Sequence, residues 1–97
     1  MRKVAILASV LLVDCSTAPA EPPVHGVTPG HVCKVDGTGW LIGRRGTGET
    51  GAAILRTSKA AVLRWAPPGV ILTMDYRQDR VTVYLDRNRK ITQIRCG

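Results

Sequence analysis

Apolar and polar positions alternate most cleanly at residues 81–85, where Val81, Val83 and Leu85 fall on one face and Thr82 and Tyr84 on the other. Period two over β-prone residues predicts a half-buried strand. Residues 61–65, with Val62 and Leu63, predict a second strand. Pro67-Pro68-Gly69 ends it, because neither proline can donate to a ladder. Residues 70–73 are apolar and extended, and residues 91–95, with Ile91 and Ile94, predict a third strand. Residues 86–90 form a polar turn in which Asn88 is suited to the left-handed conformation. Ahead of the strands, Thr47 is placed to cap a helix that runs through Ala52, Ala53, Ile54, Leu55 and Arg56 to about Ser58. Glu49 falls in its first turn, where the helix dipole favours an acid. Gly48 and Gly51 weaken that helix, so it has to lean on tertiary packing. Trp40-Leu41-Ile42-Gly43 reads as an apolar anchor, with Trp40 and Trp65 expected in the core. One short helix packed on a small twisted mixed sheet is an α+β architecture.

The chain of 97 residues divides unevenly. Met1-Arg2-Lys3 gives a positive start, and residues 4–13 form an apolar run interrupted only by Ser9. That run is too short for a bilayer, which takes about 20 residues, and matches the core of a signal peptide. Ala18-Pro19-Ala20 offers small residues for cleavage, so residues 1–20 are expected to be a signal peptide. A rival cut exists at Cys15, where Leu12-Val13-Asp14-Cys15 resembles a lipoprotein signal. Such signals take a small neutral residue before the cysteine, and Asp14 is neither, so plain export is the favoured reading. The location expected is periplasmic or secreted; the alternative is an envelope protein lipid-anchored through Cys15, and only then would a membrane be a partner. Residues 21–30, with Pro22, Pro23, Pro29, Gly26 and Gly30, read as a flexible linker, and residues 31–97 as the folded domain.

Charge and cysteine content narrow the functions. The chain carries fourteen basic and seven acidic residues. Removing residues 1–20 takes away Arg2, Lys3 and Asp14, which leaves twelve and six. A basic protein can meet an anionic partner, yet these residues are dispersed and form no stripe, and export argues against nucleic acid. Two cysteines remain in the domain, Cys33 and Cys96, and an even pair in a small exported domain reads as a disulfide. So thin a core calls for such a staple. His25, His31 and Cys33 make an incomplete zinc set, so neither metal nor cofactor is expected. Beyond residue 31 there is no histidine, and Ser58 is the only serine, so no hydrolytic triad can be assembled and no enzyme is expected.

Residues 67–80 break the pattern. The stretch joins two strands, has no glycine after Gly69 and is apolar in its first half. Connections of this length tend to be functional or disordered, and β-prone apolar residues fit disorder poorly. Val70-Ile71-Leu72-Thr73-Met74-Asp75-Tyr76-Arg77-Gln78-Asp79-Arg80-Val81, followed by Tyr84-Leu85-Asp86, resembles the reactive loop and following strand of the potato inhibitor I superfamily of serine peptidase inhibitors. The likeness runs back to the anchor at Trp40 and forward to Gly97. The cysteine pair, the signal segment and the ending Ile94-Arg95-Cys96-Gly97 resemble its bacterial and fungal branch, inhibitor family seventy-eight.

That resemblance implies a long exposed reactive loop with its scissile bond between Met74 and Asp75. Met74 would enter the primary pocket of the peptidase, and an unbranched thioether suits a roomy apolar one. Subtilisin-like, chymotrypsin-like or elastase-like peptidases are the implied partners. Leu72, Thr73, Tyr76 and Arg77 would pair with the cleft as an added strand. Arg80 would support the loop from below, its planar fork giving charge-assisted hydrogen bonds to Thr73, Asp75 or loop carbonyls. Plant and leech members have a second arginine two residues later; here that position is Thr82, whose side chain is too short for the same reach. The alternative reading is a basic envelope module for an anionic partner. A monomer is expected in either case.

Overall fold

The computed structural model describes residues 24–97; the expected signal segment at 1–20, with Cys15, lies outside the described residues. A single 3-10 turn, Gly39–Leu41, precedes α1, Gly48–Ser58, and three strands follow: β1, Val62–Ala66; β2, Arg80–Leu85; and β3, Ile91–Cys96. The sheet has the order β1-β2-β3, with β1 parallel and β3 antiparallel to β2. The architecture is α+β, as the hydrophobic pattern predicts.

Each element has a local cause. Thr47 caps α1 by accepting from the Thr50 amide at 3.2 Å, while the Thr50 hydroxyl accepts from the Thr47 amide at 2.7 Å. This closes a capping box with threonine where glutamate or glutamine is usual. Gly51, Ile54 and Ser58 form the buried stripe of the helix. Gly51 is needed there because a Cβ would sit 3.0 Å from the Trp65 ring. The turn between β2 and β3 is organised by Asp86, whose Oδ1 accepts from the amides of Asn88 and Lys90. Its left-handed residue is Arg89 (φ 63°) and not Asn88. Asp86 already engages the Asn88 amide, and the chain reverses one residue later than the side-chain preference suggested.

β2 is the central strand, and both its faces are covered over residues 80–83. Val81 and Val83 are fully buried and pack with Leu41, Ile54, Ile91, Ile94 and Cys33 in the core. The opposite face carries Arg80 and Thr82, which are also buried, at 8% and 2% exposure. A polar pair on the second face of a strand must be hydrogen-bonded to be tolerated there; Arg80 finds the Asp75 and Gly97 carbonyls, and Thr82 finds Gly97 and Arg64.

The tryptophans depart from expectation. Trp65 is half-buried against the core, but Trp40 is 56% exposed. The 3-10 turn directs Leu41 inward in its place, and the Arg44 guanidinium covers the Trp40 ring at 4.9 Å from its centroid. Cys33 and Cys96 are joined by a disulfide, Cα to Cα 5.6 Å, across 63 positions of sequence. Closing a loop of that size contributes about 4 kcal/mol in the chain-entropy picture.

Candidate functional site

A parallel pair cannot be joined by a hairpin; the chain must travel back along the sheet, most often as a helix. Between β1 and β2 residues 67–79 make that journey with no regular structure. They start with a tight turn in which the Val70 amide donates to the Pro67 carbonyl at 3.3 Å. Pro68 and Gly69 hold its two central positions, and Gly69 has φ +82°, the type II arrangement that needs glycine.

From there the segment rises off the surface. Ile71, Met74 and Tyr76 are 96%, 98% and 70% exposed, whereas Leu72 is half-buried. Thr73 and Asp75 are exposed, and Arg77 is half-buried. Three large apolar side chains offered to solvent on one loop are costly in a monomer and mark a contact surface. Met74 is therefore not a core methionine, and the residues named from the sequence, 72–77, lie on one continuous segment that is exposed from Thr73 to Tyr76 and half-buried at Leu72 and Arg77.

Among the described residues, no backbone amide from 71 to 76 donates to another backbone group. Side chains hold this stretch instead. Arg80 Nη2 donates to the Asp75 carbonyl at 2.7 Å and its Nε to the Gly97 carbonyl at 3.2 Å, with Nη1 3.7 Å from the Asp75 carboxylate. Arg80 does not bond Thr73. That contact belongs to Arg64 on β1, whose Nη1 donates to the Thr73 hydroxyl at 3.1 Å and whose Nε donates to the Thr82 hydroxyl at 3.2 Å. Thr82 in turn donates to the Gly97 carbonyl at 2.7 Å.

The C-terminal flank of the loop is held by the backbone as well. The Gln78 carbonyl accepts from Cys33, and the Asp79 carbonyl from Ala61 and Val62. Asp79 itself is fully buried, accepts from Arg77 at 3.0 and 3.1 Å and from the Thr28 hydroxyl. Those bonds, Arg77 first and Thr28 second, lower its pKa to about 2. The Thr73 hydroxyl and then His25 hold the Asp75 carboxyl well below the usual carboxylate range.

Residues 24–30, the described part of the stretch read as a linker, lie against this flank. His25 Nε2 is 3.0 Å from Asp75 Oδ2, and the Gly26 carbonyl accepts from the Asp79 amide. A Cβ on Gly26 would lie 3.0 Å from the Arg77 Cα, so only glycine allows that approach. Sequence reasoning singled out Arg80 but missed Arg64, His25 and Thr28. Proline and glycine content gave the stretch before residue 31 the look of a spacer, and Arg64 acquires its role only through the register that sets it opposite Thr82.

A small disulfide-linked α+β scaffold holding an apolar loop clear of its surface is built to be gripped by a partner; it defines a binding protein of the inhibitor type. The model of the peptidase inhibitor I78 family matches residues 33–97, and the chain belongs to that family. Among solved structures it is similar to one titled "Structure of elastase inhibitor AFUEI (crystal form II)", at 26% identity over 59% of this chain and 78% of that one, with a TM-score of 0.48. Comparison with curated proteins finds no match. By family, then, the protein is a peptidase inhibitor with a peptidase as partner, and not an enzyme.

Proposed function

We propose that the protein inhibits a serine peptidase with an apolar primary pocket by presenting residues 72–77 as a substrate, with Met74-Asp75 as the reactive bond. The observation that carries this is Met74, 98% exposed between two residues, Thr73 and Asp75, that are each tied to a buried or half-buried arginine. The thioether enters the pocket, and the extended backbone on either side pairs with the cleft. A loop held in one shape loses little entropy on binding. If the bond is cut, the Asp75 amine stays beside the acyl group, and its high effective molarity lets re-closure compete with hydrolysis. The peptidases it would meet are subtilisin-like, chymotrypsin-like or elastase-like, in keeping with its resemblance to the potato inhibitor I superfamily. Export through residues 1–20 would carry it to the periplasm or medium, with lipidation at Cys15 as the alternative.

Titration of the protein without residues 1–20 against subtilisin and chymotrypsin tests it. Near-stoichiometric inhibition is expected, with any slow cleavage between Met74 and Asp75. Rapid cutting at many sites without inhibition would overturn the proposal. Strong salt dependence with indifference to Met74 substitution would favour the anionic-partner reading instead.

A further inference from the structure

We infer that Arg64 is the second positioning residue of the loop, supplying from β1 the support that Thr82 is too short to give from β2. The inference deepens the proposed function and rests on it for its meaning in inhibition. The register of the parallel pair places Arg64 opposite Thr82, so both side chains leave the sheet on the face away from the apolar core. The guanidinium uses its fork at two points: Nε on the Thr82 hydroxyl at 3.2 Å, and Nη1 on the Thr73 hydroxyl at 3.1 Å. The Thr82 hydroxyl has its own acceptor in the Gly97 carbonyl at 2.7 Å, which fixes its proton and leaves its lone pairs toward Arg64. Thr82 thus aims the arginine, and the arginine reaches the loop.

The location matters more than the count of bonds. Arg64 holds Thr73, the residue immediately before Met74, and Arg80 holds the carbonyl of Asp75, the residue immediately after. The two guanidiniums straddle the proposed scissile bond, one on the acyl side and one on the amine side. Each would keep one new chain end in place after cutting. Arg80 serves the other side of the bond, with Nη2 on the Asp75 carbonyl and Nε on the Gly97 carbonyl, and makes no hydrogen bond to Thr73. A lysine at 64 has one nitrogen and cannot span Thr82 and Thr73 together.

The test is a cycle of Arg64→Met, Thr73→Val and the double variant in the disulfide-bonded protein, with Arg64→Lys as the conservative change. Arg64→Met is expected to raise the inhibition constant for subtilisin and the rate of cleavage at Met74-Asp75 by about tenfold, as for loss of a charge-assisted hydrogen bond. Arg64→Lys should recover only part of this. In the Thr73→Val background Arg64→Met should add little, since its acceptor on the loop is gone. Equal effects of Arg64→Met in both backgrounds, or none in either, would overturn the inference. Backbone order parameters decide the matter without a peptidase. Amides 72–76 should become less ordered in Arg64→Met while those of β2 stay unchanged; unchanged loop order would contradict the role even if the wild-type protein inhibits, and loosened loop order would uphold it even if subtilisin proves to be the wrong target.

Discussion

The two flanks of the loop are held by different means. The leading flank, residues 67–73, has a proline-glycine turn and one guanidinium from β1. The trailing flank, residues 75–79, accepts backbone hydrogen bonds from Cys33, Ala61 and Val62 and donates one to Gly26, and it has a buried arginine and a buried carboxylate with two partners. The contrast follows from topology. The trailing flank runs straight into the central strand and is hydrogen-bonded to residues 26, 33, 61 and 62, whereas the leading flank leaves the edge strand β1 and, among the described residues, has no backbone hydrogen bond outside its own turn. It teaches that the rigidity of a loop need not be uniform: the amine side of the proposed Met74-Asp75 reactive bond is held by backbone and side chains together, and the acyl side by its proline-glycine turn and one guanidinium.

The largest expected effect removes the staple that serves the trailing flank. Cys96 precedes Gly97, whose carbonyl receives both Arg80 and Thr82, and the Cys33 amide donates to Gln78. Replacing both cysteines by serine should cost about 4 kcal/mol in urea unfolding, and should lower backbone order parameters more over residues 75–79 than over residues 69–73. Equal loosening of both flanks would break the comparison.

Next is Arg80→Ala. It leaves the Asp75 carbonyl without its donor and a cavity beneath the loop, at a cost of about 2–3 kcal/mol in stability. In the presence of subtilisin the variant should behave as a substrate, with cleavage at Met74-Asp75 accelerated; unchanged inhibition would remove Arg80 from its supporting role.

The acid limb comes third. Asp79 has a folded-state pKa lowered to about 2, and that of Asp75 is lowered as well. A depressed carboxylate contributes stability above its ordinary pKa, near 4, and loses it as pH falls through the folded value. Thermal stability should therefore be flat from neutral pH to about 4 and decline toward 2. Asp79→Asn should be less stable at neutral pH and lose much of that decline; a wild-type transition centred near pH 5 would contradict this assignment.

The smallest effect is on the leading flank. Gly69→Ala meets no neighbour but must adopt φ +82°, which costs about 1 kcal/mol. Cleavage at Met74-Asp75 should rise a few-fold while the Asp79 amide, which donates to the Gly26 carbonyl, stays protected from exchange. Loss of protection on the trailing flank would show that the two flanks are one unit.

Much of the scaffold was legible in the sequence because its signals are local. Alternation at Val81 and Val83, the Thr47 cap and the Pro67-Pro68-Gly69 stop each act within a few residues of themselves. Met74 and Arg80 were legible through resemblance. What stayed hidden depends on pairing between distant segments. Arg64 is an unremarkable strand residue until the parallel register sets it beside Thr82, and Thr28 is a linker threonine until Asp79 is buried against it. Trp40 misled for a related reason: a large apolar ring was expected inside, but the 3-10 turn gives the inward position to Leu41, and a cation covers the ring.

With Met74-Asp75 as the proposed reactive bond, both of its new ends should stay in register after it is cut. The direct measurement begins with protein cleaved at that bond and held together by its fold and by the Cys33–Cys96 bridge. A catalytic amount of subtilisin is added, and the fraction of intact chain is followed by mass spectrometry. Intact chain should re-form until it reaches the same ratio approached from uncut protein. If the cleaved form stays cleaved, or is degraded further, the loop is not held as described.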